Sequence, residues 1–287
     1  MDGATVVTRF APSPTGRLHL GSAHSALFAE RCAREAGGRF LVRIEDIDRA
    51  RCRPEHAAAM LEDLAWLGLA WDGPVRVQSE HSDEYAAALE TLRARDLLYP
   101  CFCTRTDIAR EIAAIGGAPH GADGPVYPGT CRAMAESERR ARIAAGEPHA
   151  FRLDIAAALA SVTRPLLCEE VGEGVFEADP AALFGDVVLA RKDTPASYHL
   201  CATHDDALQG VTLVTRGDDL KPAVHLHRLL QALMGWPVPR WRHHALLAGP
   251  DGRRLAKRDG SLAITALREA GHSPAEVRAM AGFPDKA

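Results

Sequence analysis

Between a β-branched apolar run and a long helical stretch, the chain places "RFAPSPTGRLHLGSAHSALF", residues 9–28. This junction limits the fold more than any other feature. "ATVVTRF" has the composition of a buried strand. Pro12, Ser13, Pro14, Thr15 and Gly16 interrupt it. A helix is predicted from Leu20 and stopped by Gly37-Gly38. A strand that feeds a helix through a tight turn presents unpaired backbone N–H groups at the positive end of the helix dipole. Phosphate binds readily at such a place. Gly21 lets another group approach the backbone, and His19 can donate to a phosphate oxygen.

The rhythm that follows is that of a parallel sheet covered by helices. "RFLVRIED" reads as a second strand, and "RPEHAAAMLEDLAWLGL" as a helix with Pro54 in its first turn. "SDEYAAALETLRARDL" reads as another helix, capped by Ser82 or Asp83. The character changes around Tyr99, where cysteines, glycines and prolines crowd together and "GGAPHGADGPVYPG" reads as a loop. The α/β alternation resumes with "GDVVLARK" as a strand, then "SYHLCATHDDAL", "GVTLVTRG" and "DLKPAVHLHRLLQALMGW". The expected organisation is therefore an α/β, Rossmann-like parallel sheet with an inserted α+β subdomain. Residues 1–100 and 184–240 form the two halves of the main domain, 101–183 the insertion, and 241–287 a basic loop with two short helices.

The formal net charge of −4 excludes a uniformly basic surface, although a local basic face is compatible with it. No apolar run is long enough to span a membrane, and the N-terminus lacks the pattern of a signal peptide. A cytoplasmic monomer that does not engage membranes is the expectation. Seven cysteines, three of them clustered, suit metal binding better than a disulfide framework.

"APSPTGRLHLGSAHSALF" resembles the nucleotide-binding signature of class I aminoacyl-tRNA synthetases, in the form used by glutamyl enzymes, with Ser22 where the signature usually ends in histidine. "GPDGRRLAKRDG" resembles their second signature, a Lys-Met-Ser-Lys-Ser motif, read here as Arg254, Leu255, Ala256, Lys257 and Arg258. Ala256 lacks the usual hydroxyl, and Arg254 replaces the first lysine. The resemblance implies that ATP, with Mg²⁺, is held by Pro12, Ser13, Pro14, Thr15, Gly16, His19, Gly21, Ser22 and the segment from Arg254 to Arg258, with His19 and Lys257 catalytic.

Activating glutamate requires cationic partners for two carboxylates and an anionic partner for an ammonium. Arg9, Glu45 and Arg216 end predicted strands, where open α/β sheets bind ligands. The glutamyl family implies that Arg9, Glu45, Tyr198 and Arg216 hold L-glutamate, with Phe10, Ala11, Pro12 and Ser13 alongside.

Cys101, Cys103 and Cys131 supply three of the four ligands of a structural zinc site, and on chemistry alone His120 is the best fourth. The short glutamyl-like enzymes carry C-x-C followed by Y-x-x-x-C, which implies Tyr127 instead. The resemblance covers nearly the whole chain, and the sequence stops shortly after the basic loop, without a helical anticodon-binding domain. In length and cysteine pattern it is similar to the truncated group that glutamylates the queuosine base of tRNA(Asp). The expected partner is then the anticodon stem-loop of tRNA(Asp) carrying queuosine. A minimal glutamyl-tRNA synthetase charging a 3′ end and a non-catalytic tRNA-binding paralogue are the alternatives.

Overall fold

The computed structural model describes residues 5–114, 120–122, 124–247 and 263–284. The first part contains β1 (Val7–Phe10), α1 (Leu20–Glu35), β2 (Arg39–Ile44), α2 (Pro54–Trp66), β3 (Arg76–Val77) and α3 (Ser82–Arg93). The middle contains β4 (Leu98–Cys101), α4 (Arg105–Ala114), β5 (His120–Gly121), β6 (Gly124–Pro125), α5 (Glu136–Ala144), β7 (Ala150–Leu153), α6 (Ile155–Ala160), β8 (Leu167–Glu170), β9 (Gly174–Glu177), α7 (Pro180–Leu183) and β10 (Val187–Ala190). The last part contains α8 (Tyr198–Leu208), β11 (Leu213–Gly217), α9 (Ala223–Met234), β12 (Arg240–His244), α10 (Ile264–Glu269) and α11 (Pro274–Met280).

Strands β1, β2 and β3 pair in parallel, as do β11 and β12. The two sets meet where the Thr212 amide donates to the Val7 carbonyl at 3.0 Å and the Val7 amide donates to Thr212 Oγ1 at 2.8 Å. The strand order across that seam is β3-β2-β1-β11-β12, extended by β8 and β9. The chain leaves β1 towards β2 and returns on the other side at β11, so the seam is a topological switch point. All four residues of β1 are buried, as a central parallel strand requires. Its one hydroxyl, Thr8 Oγ1, is satisfied by donating to the Ala29 carbonyl of α1 at 2.8 Å.

Helix α1 ends where Gly37 takes a φ of 62°. Gly38 follows because a Cβ there would lie 2.0 Å from the Val6 carbonyl oxygen. One core packs α1, α2, α10 and α11 on the β1–β2 side through Leu27, Phe40, Leu64, Leu267 and Val277. A second joins α9 to both sheets through Leu153, Leu189, Leu226, Leu230 and Trp241. No helix among the described residues is long and apolar enough to cross a membrane.

Several elements differ from the sequence reading. The strand in "GDVVLARK", expected to resume the parallel sheet, is β10, which pairs antiparallel with β7, itself antiparallel to β4. Conversely, β8 lies inside the expected insertion yet joins the parallel sheet beside β12. The sheet pairings therefore cross the boundary expected near residue 183. Glu170 explains the attachment of β8: it is buried, and its carboxylate accepts from the His243 amide at 2.7 Å. Helix α3 begins at Ser82 with His81 as a cap whose side chain makes no capping bond to the backbone, so neither Ser82 nor Asp83 is its cap. The loop around His120 contains the two-residue β5–β6 hairpin.

Candidate active site and cysteine cluster

A cavity of about 520 Å³ opens at the switch point, between the carboxyl ends of β1 and β11 and the amino end of α1. His19 is the cap of α1, and its Nδ1 accepts from the Ser22 amide at 3.3 Å. That bond leaves the ring proton on Nε2 as a donor. Gly21 has a steric reason: a Cβ there would stand 3.1 Å from the His19 ring. The turn before α1 is stapled to the end of β2. The Pro12 carbonyl accepts from the Glu45 amide at 2.9 Å, and Ser13 Oγ donates to the Glu45 carbonyl at 2.7 Å.

Of the residues proposed for ATP, the cavity is lined by Pro12, Ser13, Gly16, His19, Gly21 and Ser22. Pro14 and Thr15 do not line it: the Pro14 carbonyl accepts from the Arg53 amide, and Thr15 N–H donates to the Ser13 carbonyl. Arg254, Leu255, Ala256, Lys257 and Arg258 lie outside the described residues. The chain on either side of that segment returns to the cavity. Leu246 and Leu247 line it, and Ala263 forms a β-bridge with His19 while the Ile264 amide donates to the Leu18 carbonyl at 2.9 Å.

The residues proposed for glutamate also converge here, since Arg9, Phe10, Ala11, Glu45, Tyr198 and Arg216 all line the cavity. The two arginines differ sharply. Arg216 is buried and donates from Nη1 to Tyr198 Oη at 3.2 Å. Its Nε and Nη2 have no hydrogen-bond partner among the described residues. Such a guanidinium edge suits a carboxylate. Arg9 is already engaged: Nε donates to Asp206 Oδ1 at 2.9 Å, and Nη1 donates to the Thr215 carbonyl at 3.1 Å. Arg9 therefore lines the cavity as expected of it, while most of its guanidinium is also engaged within the protein.

Arg9 belongs to a buried ionic network that sequence reading missed. Arg43, fully buried, donates to Asp206 at 2.9 Å, Glu45 at 3.2 Å and Gln209 at 2.9 Å. Asp205 accepts from Arg76, Gln78 and Tyr85 at 3.0, 3.0 and 2.9 Å. Burial alone would raise Asp206, but the charges of Arg9 and Arg43 outweigh it and hold its pKa below the usual carboxylate value. For Glu45 the balance runs the other way: burial wins over Arg43 and Arg9, and its pKa is raised.

Gly217 also went unread. A Cβ there would lie 2.6 Å from Leu246 Cδ2 and 2.8 Å from Asp219 Oδ1, so the glycine directly after Arg216 marks a close approach. Its position in "RGDDL" was the available signal.

The cysteine cluster lies at the end of β4. Cys101, Cys103 and Cys131 bring their sulfurs within 4.8 Å of one another, a grouping able to hold a metal ion. Tyr127 Oη lies 3.6 Å from Cys101 Sγ and 3.5 Å from Cys103 Sγ, and accepts from the Cys131 amide at 2.8 Å. A tetrahedral zinc with bonds of about 2.3 Å to sulfur and about 2.0 Å to oxygen needs S···O edges of about 3.5 Å. The observed edges fit that size. Although burial raises Cys131, bonds from Tyr127 and the Phe102 amide hold its thiol below the ordinary value, while burial pushes Cys103 up to about 12.

Comparison with known proteins agrees with this architecture. The family model described as tRNA synthetases class I (E and Q), catalytic domain, matches residues 5–281. The chain is 48% identical to the glutamyl-Q tRNA(Asp) synthetase of Rhodobacter capsulatus, over 97% of this chain and 100% of that one. It is 45% identical to the protein of the same name from Symbiobacterium thermophilum, over 94% of this chain and 83% of that one. Among solved structures, a glutamate tRNA ligase from Elizabethkingia meningosepticum in complex with its amino acid superimposes with a TM-score of 0.80 at 30% identity, covering 97% of this chain and 60% of that one. The chain therefore spans less than two thirds of that solved ligase. With a switch-point cavity, its α1 junction and full-length similarity all in agreement, the chain belongs to the glutamyl-Q tRNA(Asp) synthetase family of class I synthetases.

Proposed function

We propose that this chain activates glutamate with ATP and then transfers the glutamyl group to the queuosine base at the wobble position of tRNA(Asp). The observation that carries this reading is the buried, half-satisfied guanidinium of Arg216, facing the same cavity as Glu45 and the amino end of α1. In one chamber these offer a carboxylate partner, an ammonium partner and a phosphate site.

In the first step a carboxylate oxygen of glutamate attacks the α-phosphorus of ATP, the bond to the bridging oxygen breaks, and pyrophosphate leaves. His19 Nε2–H and the first amides of α1 donate to the phosphates. Arg216 grips a carboxylate, Tyr198 orients beside it, and Glu45 receives the ammonium. Lys257, which lies outside the described residues, is assigned to the developing phosphate charge on its match to the second signature. Mg²⁺ would travel with ATP and neutralise its phosphates. In the second step a hydroxyl oxygen of the cyclopentene ring of queuosine attacks the acyl carbon, the bond from that carbon to the phosphate oxygen breaks, and AMP leaves, its phosphate taking up the hydroxyl proton. No protein nucleophile is needed, because alignment of the reactants supplies most of the acceleration.

Cys101, Cys103, Tyr127 and Cys131 would hold one Zn²⁺, which supplies a structural cross-link rather than chemistry. Metal analysis should return about one zinc per chain, and Cys131→Ser should lose it.

The direct test supplies labelled glutamate and ATP with tRNA(Asp), with or without queuosine, after periodate oxidation of the 3′ end. Label is expected only on the queuosine-bearing RNA and should survive the oxidation. Equal labelling of both RNAs, or label abolished by oxidation, overturns the acceptor assignment.

A further inference from the structure

A second chamber of about 710 Å³ adjoins the first, and the two share Ala11, Ser13, Glu45, Tyr198 and Leu220. It is walled on one side by the end of β2 and on the other by the antiparallel sheet, with Tyr127, Arg152, Val188 and Arg191 among its lining. Tyr127 thus has two surroundings. Its hydroxyl belongs to the cysteine cluster, while its ring carries the Arg152 guanidinium, whose carbon lies 3.9 Å from the ring centroid.

Arg152 is poised but incompletely used. Nη1 donates to the Asp186 carbonyl at 2.8 Å, while Nε is buried with no hydrogen-bond partner among the described residues. No carboxylate of the described residues pairs with it. The nearby Asp186 carboxylate is consumed by Tyr99, Arg132 and the Ile155 amide, at 2.6, 3.0 and 3.0 Å. A half-buried guanidinium whose buried Nε is an open donor, with no carboxylate paired to it among the described residues and in a chamber contiguous with the amino-acid site, calls for an anion. The exposed Arg191 on the same lining adds positive charge.

The geometry points to Arg152 as an anchor for a backbone phosphate of the acceptor RNA, positioned through Tyr127 by the cysteine cluster. This rests on the reading that an RNA nucleotide is the acceptor. It adds a residue to the transfer step and gives the cluster a second consequence. A metal held by the cluster would fix Tyr127 Oη more firmly, and with it the platform under Arg152.

The experiment compares wild type, Arg152→Ala and Arg152→Lys in three measurements: glutamate-dependent ATP–pyrophosphate exchange without RNA, zinc content, and the Kd for queuosine-bearing tRNA(Asp) across a salt series. For Arg152→Ala the expected result is exchange within twofold of wild type, unchanged zinc, a Kd raised about tenfold, and a salt slope smaller by about one. Arg152→Lys keeps the charge and should restore the slope. Wild-type RNA binding by Arg152→Ala overturns the inference. So does an equal loss of exchange and RNA binding, which marks a structural role, or a lysine variant that matches alanine. If wild-type protein itself fails to bind the RNA, the acceptor reading falls instead, which is a distinguishable result. Chelated wild type should match Arg152→Ala in RNA affinity, and chelated Arg152→Ala should lose nothing more. Additive losses would overturn the link through Tyr127.

Discussion

The two walls of the switch-point cavity use arginine in opposite ways. On the β1–β2 side, Arg9 and Arg43 are locked to Asp206 and Glu45, and every short bond closes within the protein. On the β11 side, Arg216 is equally buried, yet two of its nitrogens are left without a partner among the described residues. Both walls contain guanidinium groups withdrawn from water. Only the second has withheld the compensation that burial normally demands. The first wall is held rigid, with Glu45 assigned to the ligand's ammonium, and the second leaves its arginine open to a carboxylate.

The sharpest way to break this contrast is on the closed side. Asp206→Ala leaves Arg9 and Arg43 facing each other without their shared carboxylate. Removing one member of a buried ionic set typically costs about 3–5 kcal/mol. Urea unfolding should show a loss of that size. A loss under about 1 kcal/mol would mean the network is not the rigid wall described.

The open side should answer differently. Arg216→Met keeps the volume and removes an under-satisfied buried charge. Stability without ligand should therefore stay within about 1 kcal/mol of wild type, or rise. Glutamate should then raise the melting temperature of the wild type but not of the variant, and the KM for glutamate in pyrophosphate exchange should rise about a hundredfold or more. A variant that unfolds as readily as Asp206→Ala would erase the difference between the walls.

The contrast also shows what a single sequence can and cannot disclose. Arg9, Glu45 and Arg216 could be picked out because each lies at a strand end on the carboxyl edge of the sheet, and Tyr198 because the glutamyl family implies a tyrosine there. Cys101, Cys103, Tyr127 and Cys131 could be grouped because their spacing matches a family pattern, and the chain does bring the four together. What Arg9 does there was not readable. Its partner Asp206 lies 197 positions away. In "HDDAL" two adjacent acids look like the solvated face of α8. Both are buried, because β1, β2 and β3 bring arginines onto them from strands whose order no local period encodes. The attachment of β8 and the antiparallel pairing of β10 were hidden for the same reason: strand propensity says nothing about the neighbour.

A smaller effect is expected at the helix end that joins the two walls. Gly21→Ala replaces a helical glycine, which by propensity alone should stabilise by about 1 kcal/mol. Its methyl would meet the His19 ring at 3.1 Å and tilt the Nε2 donor. Pyrophosphate exchange should fall about tenfold, an oxyanion-type contact being weakened rather than deleted, while the melting temperature holds or rises. Unchanged exchange would remove His19 from the phosphate site.

The mildest test is pH, because the two carboxylates of the closed wall are shifted in opposite directions. Asp206 is depressed, so its stabilisation is present above the unfolded value of about 3.9 and is lost as pH falls through its native value. Glu45 is raised, so the native state holds its proton longer, and stability falls as pH rises from the unfolded value of about 4.3 to the native one. An arriving ammonium reverses that. It needs the ionised carboxylate, so binding glutamate should release a proton wherever free Glu45 is partly protonated. Calorimetry in buffers of different ionisation heat should detect that proton, and glutamate affinity should weaken about tenfold per pH unit below the raised pKa. Glu45→Gln should abolish the release. If the release persists in Glu45→Gln, another group takes the ammonium. The closed wall would then be purely structural, and the two sides would differ even more than their hydrogen bonds indicate.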